Sequence, residues 1–342
     1  MADPRFYQNA PPLSIAHAAR LCGGEVTQAG EGDNLTITHA SSLDGAILPG
    51  AVVFLSDQKK ISALRDCKDI VCITKPDFAE LIPNELAVIT APFAQSAFAQ
   101  ICDHLHKSYA ETDATDSLPE PSIAASALVA PTAYVSPGAK IGDGTRINHG
   151  AFIGPGCQIG EDCRIGVNTV ISHAVVGGGC QIMAGTVIGE AGFGYVLEKT
   201  DTGERQVRMP QIGRVLIGDL VDIGANCTID RGGLGDTMIG DHSKLDNLIH
   251  IAHNVILGKN CVIAGQVGLS GSSRFGDRVM IGGQAGTADH LTIGNDTVLL
   301  ARAGLMRNMP DGARWGGYPA QPARHWLREV AAMAKLAQRK KK

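Results

Sequence analysis

The segment Asp246-Asn247-Leu248-Ile249-His250-Ile251-Ala252-His253-Asn254-Val255 gathers residue types that acid–base chemistry needs. Imidazole changes charge near neutral pH, so an outward-facing histidine on a rigid support is a candidate general base. His253 is that candidate: Ile251 belongs to a regular series of inward-facing aliphatic residues, which leaves His253 near a corner with its ring free to point out. Gly271 follows 18 residues later in the run Gly268-Leu269-Ser270-Gly271, and a backbone N–H at that point can hold an oxyanion. His290 lies a further coil and one residue along the same edge. A base, an N–H donor and a second polar group in one row suit acyl transfer. Asp246 and Asn247 are candidates to orient His253 or to hold a sugar, although Asn247 is also a residue type that simply turns a corner. His39, His104, His149, His173 and His242 have no such neighbours and are read as structural or surface residues.

The elements that must position this row are repeats. Aliphatic residues recur every six positions from Ile123 through Val129, Val135, Ile141, Ile147, Ile153, Ile159 and Ile165 to Ile171. The series slips by one residue at Val176, resumes at Ile182 and Ile188, reappears at Ile217, Ile223 and Ile229, and then runs from Ile239 to Leu305 with Thr287 its only non-apolar member. An α-helix would need a period near 3.6. A period of six fits three short strands per coil of 18 residues, each pointing one aliphatic side chain into a triangular prism, with Gly or Asn at corners that need positive φ. Successive coils then pair as parallel strands about 4.8 Å apart, placing Gly271 about 5 Å and His290 about 10 Å from the His253 level.

Two segments leave the register. Residues 190–212 are too long and polar for a corner and are expected to protrude as a loop carrying Phe193 and Tyr195, which stand out where aromatics are only 4% of the chain. Residues 230–238 make a smaller excursion. Long loops on a rigid scaffold usually serve binding. Residues 1–112 lack the hexad: a short helix from Ser14 to Leu21 stopped by Gly23-Gly24, strands at 51–55 and 70–73, and a helix from Phe93 to His106 make a small α/β domain. Residues 113–121 are the linker, 122–312 the repeat domain, and 320–342 a helix whose Trp326, Val330, Met333 and Ala337 form one apolar stripe with a basic tail. One short helix cannot bury that stripe alone, and copies of the chain packed together would.

Composition narrows the class. Hydrophobic residues at 44% and charged residues at 19% are those of a soluble globular protein, and no apolar run is long enough for a signal peptide or a membrane span. The nine Cys show no CxxC pair, which points to reduced thiols in a cytoplasmic protein and to no metal site. Residues 301–342 hold ten Lys and Arg against Asp311 and Glu329, although the whole chain is net −4. A basic end on an acidic protein suits either an acidic partner or a solubilising tail. Nothing suggests nucleic-acid binding.

The hexad array, the stretch GFGY…PQIGRVLIGD, the run NCTIDRG, then DNLIHIAHNV and Ala288-Asp289-His290-Leu291 together resemble the UDP-3-O-(3-hydroxyacyl)glucosamine N-acyltransferases of lipid A biosynthesis over nearly the whole chain. The resemblance implies a left-handed parallel β-helix, an N-terminal uridine-binding domain, a C-terminal helix and a homotrimer with active sites in clefts between prisms. It implies that His253, in the IAHNV run, is the general base that deprotonates the glucosamine 2-amino group. The 3-hydroxyacyl group would come from the phosphopantetheine of acyl carrier protein, with no cofactor of the enzyme's own. Gly271 would then be the oxyanion donor and His290 a phosphate or orienting contact. The family's uridine pocket matches the segment Phe54–Lys60, where Phe54 fits as a stacking residue. The chain departs from the family's usual Asn and Tyr with Asp57 and Lys60; Lys60 would instead contact the diphosphate or cap the base. Small residues at Ala301 and Gly304 beside Met306 are expected to shape the acyl groove, and the basic C-terminal region is expected to meet the acidic carrier.

Three other readings stay open on the residues alone. An O-acyltransferase acting on a UDP-amino sugar would use the same scaffold. A trimeric zinc carbonic anhydrase would need three His; His250 and His253 are three apart, and strand geometry is expected to turn them to different faces. A non-enzymatic scaffold would leave the long loop without a purpose.

Overall fold

The computed structural model describes residues 2–8, 10–30, 35–112, 114–200 and 203–339. The tail Lys340–Lys342, and Asp113 of the expected linker, lie outside them. From Ser122 to Trp315 the chain winds as a left-handed parallel β-helix with three long sheets of nine, nine and ten strands. Most strands are two residues long, and apart from Phe275, Thr287 and Trp315 each inward member is one of the hexad aliphatics. Ile153, Ile171, Ile251 and Leu269 are fully buried. Coils stack in register, so that His250 pairs with Gly268 and Gly268 with Gly286. Inward Thr287 is tolerated because its hydroxyl accepts from the Ser270 N–H at 3.1 Å.

The corners are less glycine-dependent than the sequence suggests. Asn254, Asn260, Gln266, Ser272, Arg278, Gln284, His290, Asp296 and Arg302 all hold φ between 56° and 61°. An αL corner costs a non-glycine residue about 1–2 kcal/mol, and stacking on the neighbouring coil offsets it. Along one edge the offset is visible: the N–H groups of Lys259, Asp277 and Asn295 each donate, at 2.8 Å, to a side-chain oxygen one coil on.

The site sheet contains the strands Val187–Ala191, Thr228–Arg231, His250–Ile251, Gly268–Leu269, Gly286–Thr287 and Gly304–Leu305. Its register shifts between Ile188 and Glu190, where the long excursion leaves the prism. Gly189 sits at that shift with φ +88°, and a Cβ there would come within 1.7 Å of the Ser172 carbonyl oxygen. Replacing Gly189 with Ala is therefore expected to lower unfolding stability by about 3 kcal/mol, read as a fall in the urea midpoint. An unchanged midpoint would show that the shift relaxes freely. The excursion is not an irregular loop, as expected, but a β-hairpin: Tyr195–Thr200 pairs antiparallel with Gly203–Arg208. Two regular strands satisfy the backbone of this polar segment, which an open loop would leave to solvent. Its root is tied down by buried Arg231, which donates to the Gln211 carbonyl at 2.7 Å and the Gly189 carbonyl at 3.0 Å.

The N-terminal residues build a five-stranded sheet in the order Glu25–Ala29, Ala87–Thr90, Val71–Thr74, Ala51–Leu55 and His39–Ala40, parallel except at the first pair. Helix α1 (Ile15–Cys22) is N-capped by Ser14 and stopped by Gly23 at φ 65°. Helix α2 (Ala94–Leu105) packs on the sheet and on α1, and touches the hairpin where Ser96 donates to Glu198 at 2.7 Å. Helix α3 (Ala323–Arg339) follows the last coil with Trp326, Val330 and Met333 exposed. All nine cysteines are free thiols and all but Cys67 are buried. No helix of the described residues is long and apolar enough to cross a membrane.

Candidate active site

A groove of about 700 Å³ runs along the outer face of the site sheet, bounded by His250 and His253 at one end and by Leu305 and Met306 at the other. Its floor is made by the outward positions of three successive strands, Gly268, Gly286 and Gly304. No heavy atom lies within 4 Å of where a Cβ would stand at Gly268 or Gly304. The missing side chains leave a smooth trough about 10 Å long across two strand spacings, and the remaining lining is mainly apolar.

His253 occupies the first position of the turn that follows strand His250–Ile251, beside Asn254 in the αL corner. Its Nδ1 stands 3.1 Å from Asn254 Oδ1. That amide oxygen also accepts the Gly233 N–H at 2.9 Å, while the Asn254 N–H donates to Thr237 Oγ at 2.9 Å. Because an oxygen accepts from Gly233, the His253 hydrogen belongs on Nδ1 and the lone pair on Nε2. Nε2 faces Gly271: a Cβ on Gly271 would lie 2.9 Å from both Nε2 and Cε1 of the ring. The Gly271 carbonyl accepts the His290 N–H at 3.0 Å, but among the described residues the Gly271 N–H donates to no protein acceptor, unlike the capped N–H groups along the Lys259 edge. A base with an available lone pair therefore lies beside an uncommitted N–H at the head of an apolar trough.

Three groups complete this end. Phe193, 86% exposed, leans from the hairpin root over the groove, with Tyr195 edge-on at 5.1 Å. His250 lines the groove beside His253, which corrects the expectation that they face different ways: the strand ends at Ile251, and the turn swings His253 back to the side of His250. The Nδ1 of His250 is 2.9 Å from Thr228 Oγ, and its Nε2 is 3.8 Å from Asp230 Oδ2. Asp230 lies mostly out of solvent; burial pushes its carboxyl up, while His250, His253 and Arg231 pull it down. Gly192 of the hairpin root closes over both: a Cβ there would stand 3.1 Å from His253 Cδ2 and 3.3 Å from Asp230 Oδ2.

Other expected site residues are not brought to this groove. His290 holds the exposed αL corner two coils from Asn254 and does not line the trough. Asn247 Oδ1 accepts the Ala225 N–H at 2.7 Å, and Asp246 Oδ1 accepts from Asn247, so both serve a corner on a different edge of the prism. Ala301 lies on that same other edge, beside Gly282, which corrects its placement in the groove; Gly304 and Met306 do line it. Phe54 packs against Phe98 with ring centres 4.8 Å apart. Asp57 Oδ1 caps a turn by accepting from the Lys59 N–H at 3.0 Å, and Lys60 pairs with Asp44 at 2.8 Å. All three belong to the N-terminal domain. Asn254 and Asp230 are the residues that sequence reasoning passed over. Among the described residues no cluster of three His, Cys, Asp or Glu is placed to hold a metal ion.

The model of the bacterial transferase hexapeptide (six repeats) matches residues 138–173 and 236–271. A UDP-3-O-acylglucosamine N-acyltransferase from Caulobacter sp. (strain K31) is 48% identical, with 98% of this chain and 97% of that protein covered. One of the same description from Methylobacterium sp. (strain 4-46) is 42% identical, with 100% and 98% covered. Among solved structures, a UDP-N-acetylglucosamine acyltransferase from Bacteroides fragilis matches 54% of this chain and 69% of its own, at 24% identity and a TM-score of 0.48.

Proposed function

The chain belongs to the UDP-3-O-acylglucosamine N-acyltransferases, and from that premise we propose that it moves a 3-hydroxyacyl group from acyl carrier protein to the 2-amino group of UDP-3-O-(3-hydroxyacyl)glucosamine in lipid A biosynthesis. The observation that carries this reading is the His253 Nε2 lone pair beside Gly271 at the head of the glycine-floored trough. The substrate amine attacks the thioester carbonyl while Nε2 takes its proton. The carbonyl oxygen becomes an oxyanion that the Gly271 N–H receives. Collapse of the tetrahedral intermediate breaks the C–S bond, and the departing phosphopantetheine thiolate takes the proton from the imidazolium. The products are the amide and the free carrier thiol, so no metal or redox group is required.

The finer parts of the reading rest on the family's pattern and on chemistry. Exposed α3 with its apolar stripe suits packing against two copies in a homotrimer. The basic C-terminal region suits an acidic carrier protein, and the enzyme would act in the cytoplasm, where that carrier is charged with acyl groups. Phe54, Asp57 and Lys60 would meet the uridine diphosphate of a substrate lying across a neighbouring prism, and His290 would contact its phosphates. The purified protein should acylate UDP-3-O-acylglucosamine and leave UDP-N-acetylglucosamine, which offers a hydroxyl, untouched. The reverse preference would assign it to O-acylation.

The trough also predicts donor length. A side chain at Gly304 would enter the groove, with no heavy atom within 4 Å of its Cβ. Excluding two methylenes forfeits about 1.6 kcal/mol at about 0.8 kcal/mol each, roughly 15-fold in kcat/KM. Gly304→Met is expected to shift preference to shorter acyl donors by that factor in a competition assay. An unchanged donor profile would place the acyl chain elsewhere.

A further inference from the structure

Asp230 takes no part in the chemistry described above, yet its carboxylate stands beside both imidazoles at the groove. It leaves the site sheet at the end of Thr228–Arg231, where the chain starts its second excursion. Its carboxylate is only 14% exposed and does not line the groove. Its Oδ2 stands 3.8 Å from His250 Nε2 and across one methyl-sized space from His253 Cδ2, a space kept open by the absence of a side chain on Gly192. Burying a carboxylate without a full hydrogen-bonded partner is unfavourable. Here burial does push the Asp230 carboxyl up, and what opposes it is the field of His250, His253 and Arg231. Arg231 is already committed to the Gln211 and Gly189 carbonyls. The two imidazoles are what the carboxylate can still serve.

We infer that Asp230 is a positioning residue for His253: a carboxylate, screened from solvent behind the two histidines, that favours the imidazolium formed when His253 accepts the proton of the acceptor amine. The inference rests on the N-acyl transfer reading. A charge that appears on the imidazole ring only as the reaction proceeds is best stabilised by a fixed, poorly solvated counter-charge. An uncharged imidazole gains little from a carboxylate, so the contribution falls on the transition state. His250 is the ring whose Nε2 faces Asp230 Oδ2 at 3.8 Å, with Thr228 Oγ at its other nitrogen. It shares the carboxylate without being needed for the proton transfer.

This sets a pattern that a structural role would not produce. Asp230→Asn keeps the shape and removes the charge. It is expected to lower kcat at least 30-fold, with KM for the UDP-sugar unchanged within twofold and the thermal midpoint unchanged. Asp230→Glu should recover part of the lost kcat. His250→Gln should cost at least tenfold less in kcat than Asp230→Asn. The inference is overturned if Asp230→Asn retains wild-type kcat, or if its loss appears in KM, which would make Asp230 a direct substrate contact. It also fails if His250→Gln loses as much as Asp230→Asn, which would mean that the carboxylate acts through His250. Wild-type enzyme lacking amine acylation would instead remove the premise, and that control is run first.

Discussion

Replacing His253 with Ala is expected to lower the rate of amine acylation by about 10²–10⁴-fold, the span of a lost general base, while the fold stays intact. The expected separation follows from where the residue sits. The inward anchor of the coil is Ile251, fully buried, and the corner is set by Asn254 at φ 60°. His253 lies between them, half-buried, and contributes one side-chain hydrogen bond, to Asn254 Oδ1. Removing it leaves Asn254 still accepting from Gly233 and donating to Thr237, so the corner keeps its shape. KM for either substrate should change little, because the trough and Phe193 remain. Steady-state kinetics beside a thermal melt measure both sides. A variant with near-wild-type kcat would end the assignment of His253 as base and shift attention to His250, the other imidazole in the groove.

What the sequence disclosed about this site, and what it hid, follows from register. An inward aliphatic every six residues fixes which positions face the prism and which meet one coil on, so Ile251, His253 and Gly271 could be placed in relation to one another from spacing alone. The same rule, applied without counting edges, misplaced Ala301: residues share a wall only at whole coils, and Ala301 falls on the corner of Asn247. His290 is one residue past the true register partner of Gly271, and the αL corner keeps it out of the trough. Asp230 was illegible for a different reason. It reaches His250 and His253 only because the strand Thr228–Arg231 runs beyond the usual two residues and the chain from Gly189 folds Gly192 back over the site, and neither excursion has a periodic signature. The hairpin resembles a loop in sequence because its strands are mostly exposed and polar, which removes the alternation that marks a half-buried strand. In the N-terminal sheet the runs at Ala51–Leu55 and Val71–Thr74 are legible because they are apolar apart from Thr74, whereas the edge strand Glu25–Ala29 is mostly exposed.

Gly271→Ala is the sharper test of the site, because it leaves every proposed chemical group in place. The added methyl would stand 2.9 Å from Nε2 and Cε1 of His253 and 3.2 Å from the His253 carbonyl oxygen. That carbonyl accepts the Ser272 N–H at 2.9 Å and belongs to the ladder between coils, so the ring is what gives. A displacement approaching 1 Å at a reacting group costs about 10²-fold in rate, and that is the expected fall in kcat, with the thermal midpoint lowered only slightly. Gly268→Ala is the matched control: its Cβ meets nothing within 4 Å, so it narrows the trough floor and should act on donor preference while sparing kcat for short donors. Alanine retains the backbone N–H at position 271, so a loss there reports the position of the imidazole and not the removal of an oxyanion donor. Asn254→Ala, which frees the ring from its Nδ1 partner, should then combine with Gly271→Ala less than additively, because both act on the same displacement. Full additivity would mean that Gly271 and Asn254 act on different things, and wild-type kcat in Gly271→Ala would mean that the ring is not held where the reaction needs it.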